Sequence, residues 1–256
     1  MFAVRNTLAP LCALLFLVGC GARDLSSLPT PSASKVEFTN DYPSVVKVIS
    51  PGGSGLCTGT FVSARAVLTA SHCTQSSGTY TVITSFGTFY TSNRRNYGPG
   101  VVNDPRDISV LWFNSDVADE NLGQVSKIGY GVREDDIVRL VGFGCGDIET
   151  RLGAGFKRTG TNAVYQISDY IELITPLNTG GGQAIIGPVN RAGSCFGDSG
   201  GPMFLDFGGE LRVVGVTHAG GYDSQYAYSD YVSLDRGDNR GFISGVNDDY
   251  NLGIEL

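Results

Sequence analysis

From Tyr42 onward the chain is a succession of short apolar runs separated by turn-forming residues. Val45, Val46, Val48 and Ile49 make the first, and Pro51-Gly52-Gly53 ends it. Runs at 56–62, 66–70, 80–84, 86–90 and 108–113 follow, rich in β-branched and aromatic residues. Such runs bounded by Gly, Pro and Asn predict β-strands. After a polar stretch at 114–127 the style repeats at 137–143, 164–175, 184–189, 202–206, 211–217 and 226–234. Only 236–246 has helical spacing, with Phe242, Ile243 and Val246 on one face. Many short strands joined by Gly-rich turns predict an all-β sandwich or barrel architecture.

Before residue 41 the pattern is of another kind. Arg5 precedes an apolar stretch from Leu8 to Val18, too short to span a bilayer, which marks residues 1–19 as an export signal outside the fold. It closes Leu17-Val18-Gly19-Cys20. That resembles a bacterial lipoprotein signal, in which cleavage precedes the cysteine and the thiol takes the lipid; the alternative is an ordinary secretory signal with Cys20 incidental. Gly21 after the cysteine then implies an outer membrane. Residues 20–40 carry Ser26, Ser27, Pro29, Thr30, Pro31, Ser32 and Ser34, a composition that predicts a flexible tether. The expected location is the cell envelope, lipid-anchored, or the exterior once the tether is cut.

Composition narrows the picture. A length of 256 residues fits one larger domain or two small fused units. With 36 glycines against 18 Lys and Arg, the chain suits strands and turns better than long surface helices. A formal charge of −7 repels phosphate backbones, so no nucleic-acid partner is expected.

The densest chemistry lies in Cys195-Phe196-Gly197-Asp198-Ser199-Gly200-Gly201-Pro202. Glycines at 197 and 200 allow backbone conformations closed to other residues, so that amide N–H groups can converge beside the Ser199 hydroxyl as an oxyanion site requires. A serine alone is inert and needs a base and an orienting acid. This segment resembles the nucleophile loop of the trypsin/chymotrypsin-like serine proteases. The resemblance implies Ser199 as nucleophile and the Gly197 and Ser199 amides as oxyanion hole. His72, in Leu68-Thr69-Ala70-Ser71-His72-Cys73, is similar to the family's base, and Asp107, in Arg106-Asp107-Ile108-Ser109-Val110-Leu111, to its acid. Asp104 is the rival acid, but no apolar strand begins beside it. The family order of His72, Asp107 and Ser199 is kept.

The same resemblance implies two six-stranded antiparallel barrels with a short C-terminal helix, the site lying between them. Residues 41–117 are then the first barrel, 118–127 the linker, and 128–256 the second barrel with the helix. The family joins the pair matching Cys57 and Cys73. Cys145 and Cys195 remain, either bridged to each other or both reduced. No zinc-type spacing occurs, so no metal ligand set and no cofactor are expected.

Departures from the family raise three questions. Nothing matches its Ile-Val-Gly-Gly-like activation motif. Lys35-Val36 offers a cut with an apolar new terminus but stands closer to Pro43 than the family spacing, which leaves the partner of Asp198 open; Arg139 is an internal candidate. In the substrate pocket, Gly193 occupies the place where tryptic relatives carry an aspartate, and Gly220 leaves the wall open. Tyr226 or Ala227 closes the far end, and Asp223 is the carboxylate that could restore a basic preference. His218 either packs behind Asp107 or stands in the pocket to bind a substrate carboxylate. The expected preference is for medium apolar residues first and Glu second. The leading function is a lipid-anchored serine endopeptidase acting on proteins or peptides, with any inhibitor or propeptide undefined. A catalytically silent homologue that binds protein, or a purely structural envelope lipoprotein, are the alternatives.

Overall fold

Two antiparallel sheets carry the chain. The computed structural model describes residues 25–31, 36–101, 104–147, 150–177 and 191–256. The expected signal, Cys20, Lys35 and the expected strand at 184–189 lie outside the described residues. After β1 (Glu37–Phe38), one sheet is built from β2 (Val45–Ile49), β3 (Leu56–Ser63), β4 (Ala66–Thr69), β5 (Tyr80–Ile83), β6 (Thr88–Thr91), β7 (Arg94–Asn96) and β8 (Ser109–Trp112). Its order is β6-β5-β2-β3-β4-β8-β7. The other takes β9 (Ile137–Gly142), β10 (Arg158–Ala163), β11 (Gln166–Ile167), β12 (Ile171–Pro176), β13 (Pro202–Asp206), β14 (Leu211–Tyr222) and β15 (Tyr226–Ser233). With β1 at its edge the order is β1-β10-β9-β13-β14-β15-β12-β11.

The all-β, two-barrel expectation holds. The sheets have seven and eight strands rather than six, because the short pieces β1, β7 and β11 extend them. The β2 strand shows the expected alternation, with Val46 and Val48 fully buried and Lys47 and Ile49 half-exposed. One continuous core joins the halves: Phe61, Leu68 and Leu111 of the first sheet share a cluster with Val213, Val216 and Val232 of the second. Helix α1 (Gly237–Tyr250) seals it by adding Ile243 and Val246. Stacked rings hold the helix to the first sheet, Tyr97 on Phe242 at 4.8 Å and Trp112 on Tyr250 at 4.2 Å between centroids.

Two expectations change. The run at 164–175 is not one strand: the Ser168 amide bonds the Tyr170 carbonyl, and the chain reverses from β11 to β12. The preceding β10 has no apolar alternation to announce it (Arg-Thr-Gly-Thr-Asn-Ala), yet Thr159, Thr161 and Asn162 are buried. Their polar atoms find partners: the Asn162 amide donates to Ile174 O at 3.3 Å and Ala192 O at 2.7 Å, stitching β10 to β12 and to the segment before Cys195.

The stretch expected to be a free tether is partly docked. Leu25–Ser27 forms a 3-10 turn, and Leu28, 4% exposed, packs with Ala163, Tyr165 and Ile174. The Arg191 guanidinium donates to the carbonyls of Leu28 and Pro29 and to Asn162 Oδ1. Serine and proline dominate the composition here, but one buried leucine and the bonds from Arg191 hold the segment. We expect Leu28→Ala to cost about 2–3 kcal/mol, read as a lowered midpoint in thermal denaturation; an unchanged midpoint would mean that the docked segment contributes nothing.

Candidate active site

The site is assembled from the turn after β4, the approach to β8 and a bulge within β14. Past Thr69 the chain enters a 3-10 turn, Ser71–Thr74, which carries His72. The Cys57–Cys73 disulfide fastens this turn to β3. Asp107 stands just ahead of β8, with no solvent exposure. Its Oδ1 accepts the His72 backbone N–H at 2.8 Å, and its Oδ2 faces His72 Nδ1 at 2.6 Å. The rival Asp104 is occupied elsewhere, accepting from Arg106 Nε and Nη2 at 2.9 and 2.8 Å.

His218 also reaches Asp107. Its Nδ1 lies 2.6 Å from the same Oδ2, so of the two placements open in the sequence, the ring takes the one behind Asp107. A β-bulge makes this possible. Thr217 pairs with Tyr231 and Ala219 with Asp230, which leaves His218 as the extra residue of β14 and re-aims its side chain. Tyr170 stacks on its far side, with centroids 5.0 Å apart and planes parallel to 1°. Burial pushes the Asp107 carboxyl up, but the bonds from His218 and His72 outweigh it and hold it down at about 2. Held below its unfolded value of ~3.9, Asp107 stabilises the fold above that pH and loses its contribution as pH falls toward 2.

Ser199 sits in the loop between Cys195 and β13. Gly197 and Gly200 take φ values of 103° and 81°, the left-handed region that glycine alone enters freely. A Cβ on Gly200 would also run into Thr58, Thr69 and Ala70. The Asp198, Gly200 and Gly201 amides are spent on Cys195, Thr217 and Asp198 carbonyls. Those of Gly197 and Ser199 donate to no acceptor among the described residues, as an oxyanion site requires. His72 and Ser199 line one cleft of about 420 Å³ together with Ser194, Phe196, His218 and Gly220.

Thr58, which nothing in the sequence singled out, ties this loop down. Its Oγ1 donates to Gly197 O at 2.8 Å and accepts from the Phe143 amide at 3.1 Å, while its own amide bonds Ser199 O at 2.8 Å. The Cys145–Cys195 disulfide, now settled as a bridge, fixes the loop from its other end.

Asp198 turns inward. Its carboxylate accepts the Gly144 amide at 2.7 Å and the Cys195 amide at 2.8 Å. A Cβ at Gly142 or Gly144 would overlap it, the reason that Phe143 is flanked by glycines. Arg139 is not its partner: that guanidinium reaches Thr159 Oγ1 at 3.4 Å and lies over the Tyr42 ring. The cation whose field reaches Asp198 is Arg158, itself bonded to Gly144 O at 2.8 Å. Burial pushes Asp198 up to about 6, against the amide bonds and Arg158 that lower it. Asp198 also lines a second cavity of about 250 Å³ behind the loop, with Val36, Phe38 and Arg158.

The expected pocket residues part company. His218 and Gly220 line the cleft, while Gly193 lines the second cavity. Tyr226 does not line the cleft; it packs against the cluster of Leu28, Ala163, Tyr165 and Ile174, because strand alternation turns it away from the side that Ala227 faces. Ala227 is the inward residue, buried against Cys195 and Leu177. The Asp223 carboxylate is held in its own loop by the Gln225 and Tyr226 amides and the Tyr228 hydroxyl. His72, Asp107 and His218 group three ligand-type atoms. Their 2.6 Å N–O contacts are hydrogen bonds, tighter than the roughly 3.3 Å between ligands around a tetrahedral ion.

The family described as Trypsin matches residues 34–234 of this chain. No curated protein matches it significantly.

The buried Asp198 gives a pH signature. Raised from the unfolded ~3.9 to about 6, it binds a proton more tightly in the fold, so ionising it costs stability as pH rises between those values, on the order of 3 kcal/mol in all. Asp198→Asn cannot ionise. We expect the stability of wild type relative to this variant to fall from pH 4 to 6 and level off above, as measured by denaturant titration; a difference constant across that range would contradict it.

Proposed function

The chain belongs to the trypsin family and is a serine protease in general type; on that premise we propose that it is an endopeptidase working through an acyl-enzyme on Ser199. The observation that carries the reading is the pair of short contacts from His72 to a solvent-free Asp107, with His72 and Ser199 on one cleft. In this reading His72 Nε2 takes the Ser199 Oγ proton as Oγ attacks the substrate carbonyl carbon. The Gly197 and Ser199 amides receive the oxyanion. The C–N bond breaks as His72 returns the proton to the leaving amine. Water, deprotonated in turn by His72, then cleaves the ester and restores Ser199.

The cleft favours an uncharged side chain on the acyl side of the cut bond. Ser194, Ala219 and Gly220 line it with no carboxylate beside them among the described residues, and Asp223, the main threat, is tied up in its own loop. The His218 contact with Asp107 weakens the case for Glu, since that nitrogen is no longer free for a substrate carboxylate. The substrates in this reading are extended protein or peptide segments cut at medium apolar residues.

A fluorophosphonate probe tests the chemistry. Wild type should label, and Ser199→Ala should lose labelling and lower peptide hydrolysis by at least about a thousandfold. A folded wild type that never labels would replace this reading with the catalytically silent protein-binding homologue. On the same preparation, dominant Arg/Lys cleavage of a mixed peptide library would refute the apolar preference.

We place the protein at the cell envelope, held by lipid on Cys20, on the strength of Leu17-Val18-Gly19-Cys20. Cys20→Ser should move the protein from the detergent phase to the aqueous phase or leave it unprocessed. Equal aqueous partitioning of both forms would remove the anchor from this account.

A further inference from the structure

Leu28 stands 163 positions before Arg191, yet the Arg191 guanidinium donates to its carbonyl and to that of Pro29, at 3.2 and 3.1 Å. We propose that residues 25–31 are a strap that, through Arg191, positions Ala192, Gly193 and Ser194 as one wall of the cleft, so that the cleft keeps its shape only while the strap is docked. The proposal rests on the reading of the Ser199 cleft as the place where substrate binds, and it makes Arg191 a positioning residue of that site.

Arg191 depends on the strap for its hydrogen bonds. It is half-buried and partly stripped of water. Among the described residues its acceptors are Leu28 O, Pro29 O and Asn162 Oδ1, none of them a carboxylate. A guanidinium withdrawn from water must keep such acceptors. Two of the three belong to residues 25–31. The strap in turn is held by Leu28, buried against Ala163, Tyr165 and Ile174. If it lifts, the guanidinium is left with one acceptor, turns to solvent and releases Asn162.

From Asn162 the bonds run on to the cleft. Its Oδ1 accepts from Arg191 at 3.2 Å and from the Ala163 amide at 2.8 Å, which aims Nδ2 at Ala192 O, 2.7 Å away. Thr175 Oγ1 donates to the same carbonyl at 3.1 Å, and the Ala192 amide donates to Thr161 O at 2.7 Å. Two residues on, the Ser194 amide donates to Ser229 Oγ at 2.8 Å. Ser194 lines both the cleft and the cavity behind the Ser199 loop. A wall with a cavity on each side has fewer packing contacts to hold it and depends on its hydrogen bonds. Gly220 comes so close to this wall that a Cβ on it would stand 3.2 Å from Ser194 Oγ. A shift of Ser194 therefore changes the room left for a substrate side chain.

Hydrogen exchange and kinetics of full-length variants, measured well below their thermal midpoints, test the strap. Leu28→Asp puts a charge into the apolar contact, and Arg191→Ala removes the link. Each should speed exchange of the Ala192 and Ser194 amides about tenfold. Each should also lower kcat/KM about tenfold for a peptide with a medium apolar residue on the acyl side. An acetyl ester, which has no side chain to place, and the fluorophosphonate should react within about twofold of wild type. The double variant should lose no more than the worse single one, because both act by one route. Unchanged exchange at Ala192 and Ser194 overturns the proposal. So do equal losses on the peptide and the ester, or losses that multiply in the double variant. Should either variant not fold, Leu28→Ala and Arg191→Lys take their places. If the wild type never reacts with fluorophosphonate, the endopeptidase reading falls, and exchange of the two amides alone decides the strap.

Discussion

Asp107 carries a charge into a place with no water, and much of the architecture follows from meeting that demand. An ionised carboxylate at zero exposure must be compensated by donors or the fold fails to hold it. The donors come from a turn after β4 and from a bulge in β14, while the carboxylate precedes β8. Three elements from two sheets therefore have to meet within hydrogen-bond distance. The shared core of Phe61, Leu68, Val213 and Val216 keeps them there, and α1 closes the same cluster.

A second buried carboxylate, Asp198, shows what a different set of donors does. Asp107 receives two imidazoles and an amide, and its carboxyl is held at about 2. Asp198 receives two neutral amides and the more distant Arg158, and burial prevails, pushing it up to about 6. The contrast is one of the number and closeness of side-chain donors rather than depth alone. Asp107 is thus kept anionic, whereas Asp198 serves as a peg that draws Gly144 and Cys195 together behind the Ser199 loop. Thr58 and the two disulfides complete the clamp. With the loop clamped, the fold tolerates Gly197 and Ser199 amides that have no acceptor among the described residues.

What could be read in the sequence is what short segments encode. Runs such as Val45–Ile49 and Pro202–Asp206 are strands because alternation, branching and flanking turns all act over a few residues. The loop around Ser199 and the turn around His72 carried their chemistry in contiguous letters for the same reason. The β10 strand escaped because its residues are buried by neighbours on both sides, β1 and β9, and need no apolar alternation of their own. Leu28 escaped because a single apolar side chain in a polar stretch makes no periodic signal.

By itself, then, the sequence determined an all-β chain, the order of the His72, Asp107 and Ser199 segments, and the glycines that the Ser199 loop needs, all properties of residues near one another along the chain. Only the tertiary structure decided that His218 stands behind Asp107, 111 positions away, that Thr58 holds Gly197, 139 positions away, and that Tyr226 faces the docked N-terminal segment instead of the cleft. These outcomes turn on strand register and on one bulge at Thr217–Ala219. A shift of one residue in pairing sends a side chain to the opposite face of a sheet, and the energies that set the register belong to whole sheets packed together, not to the residues whose direction they fix.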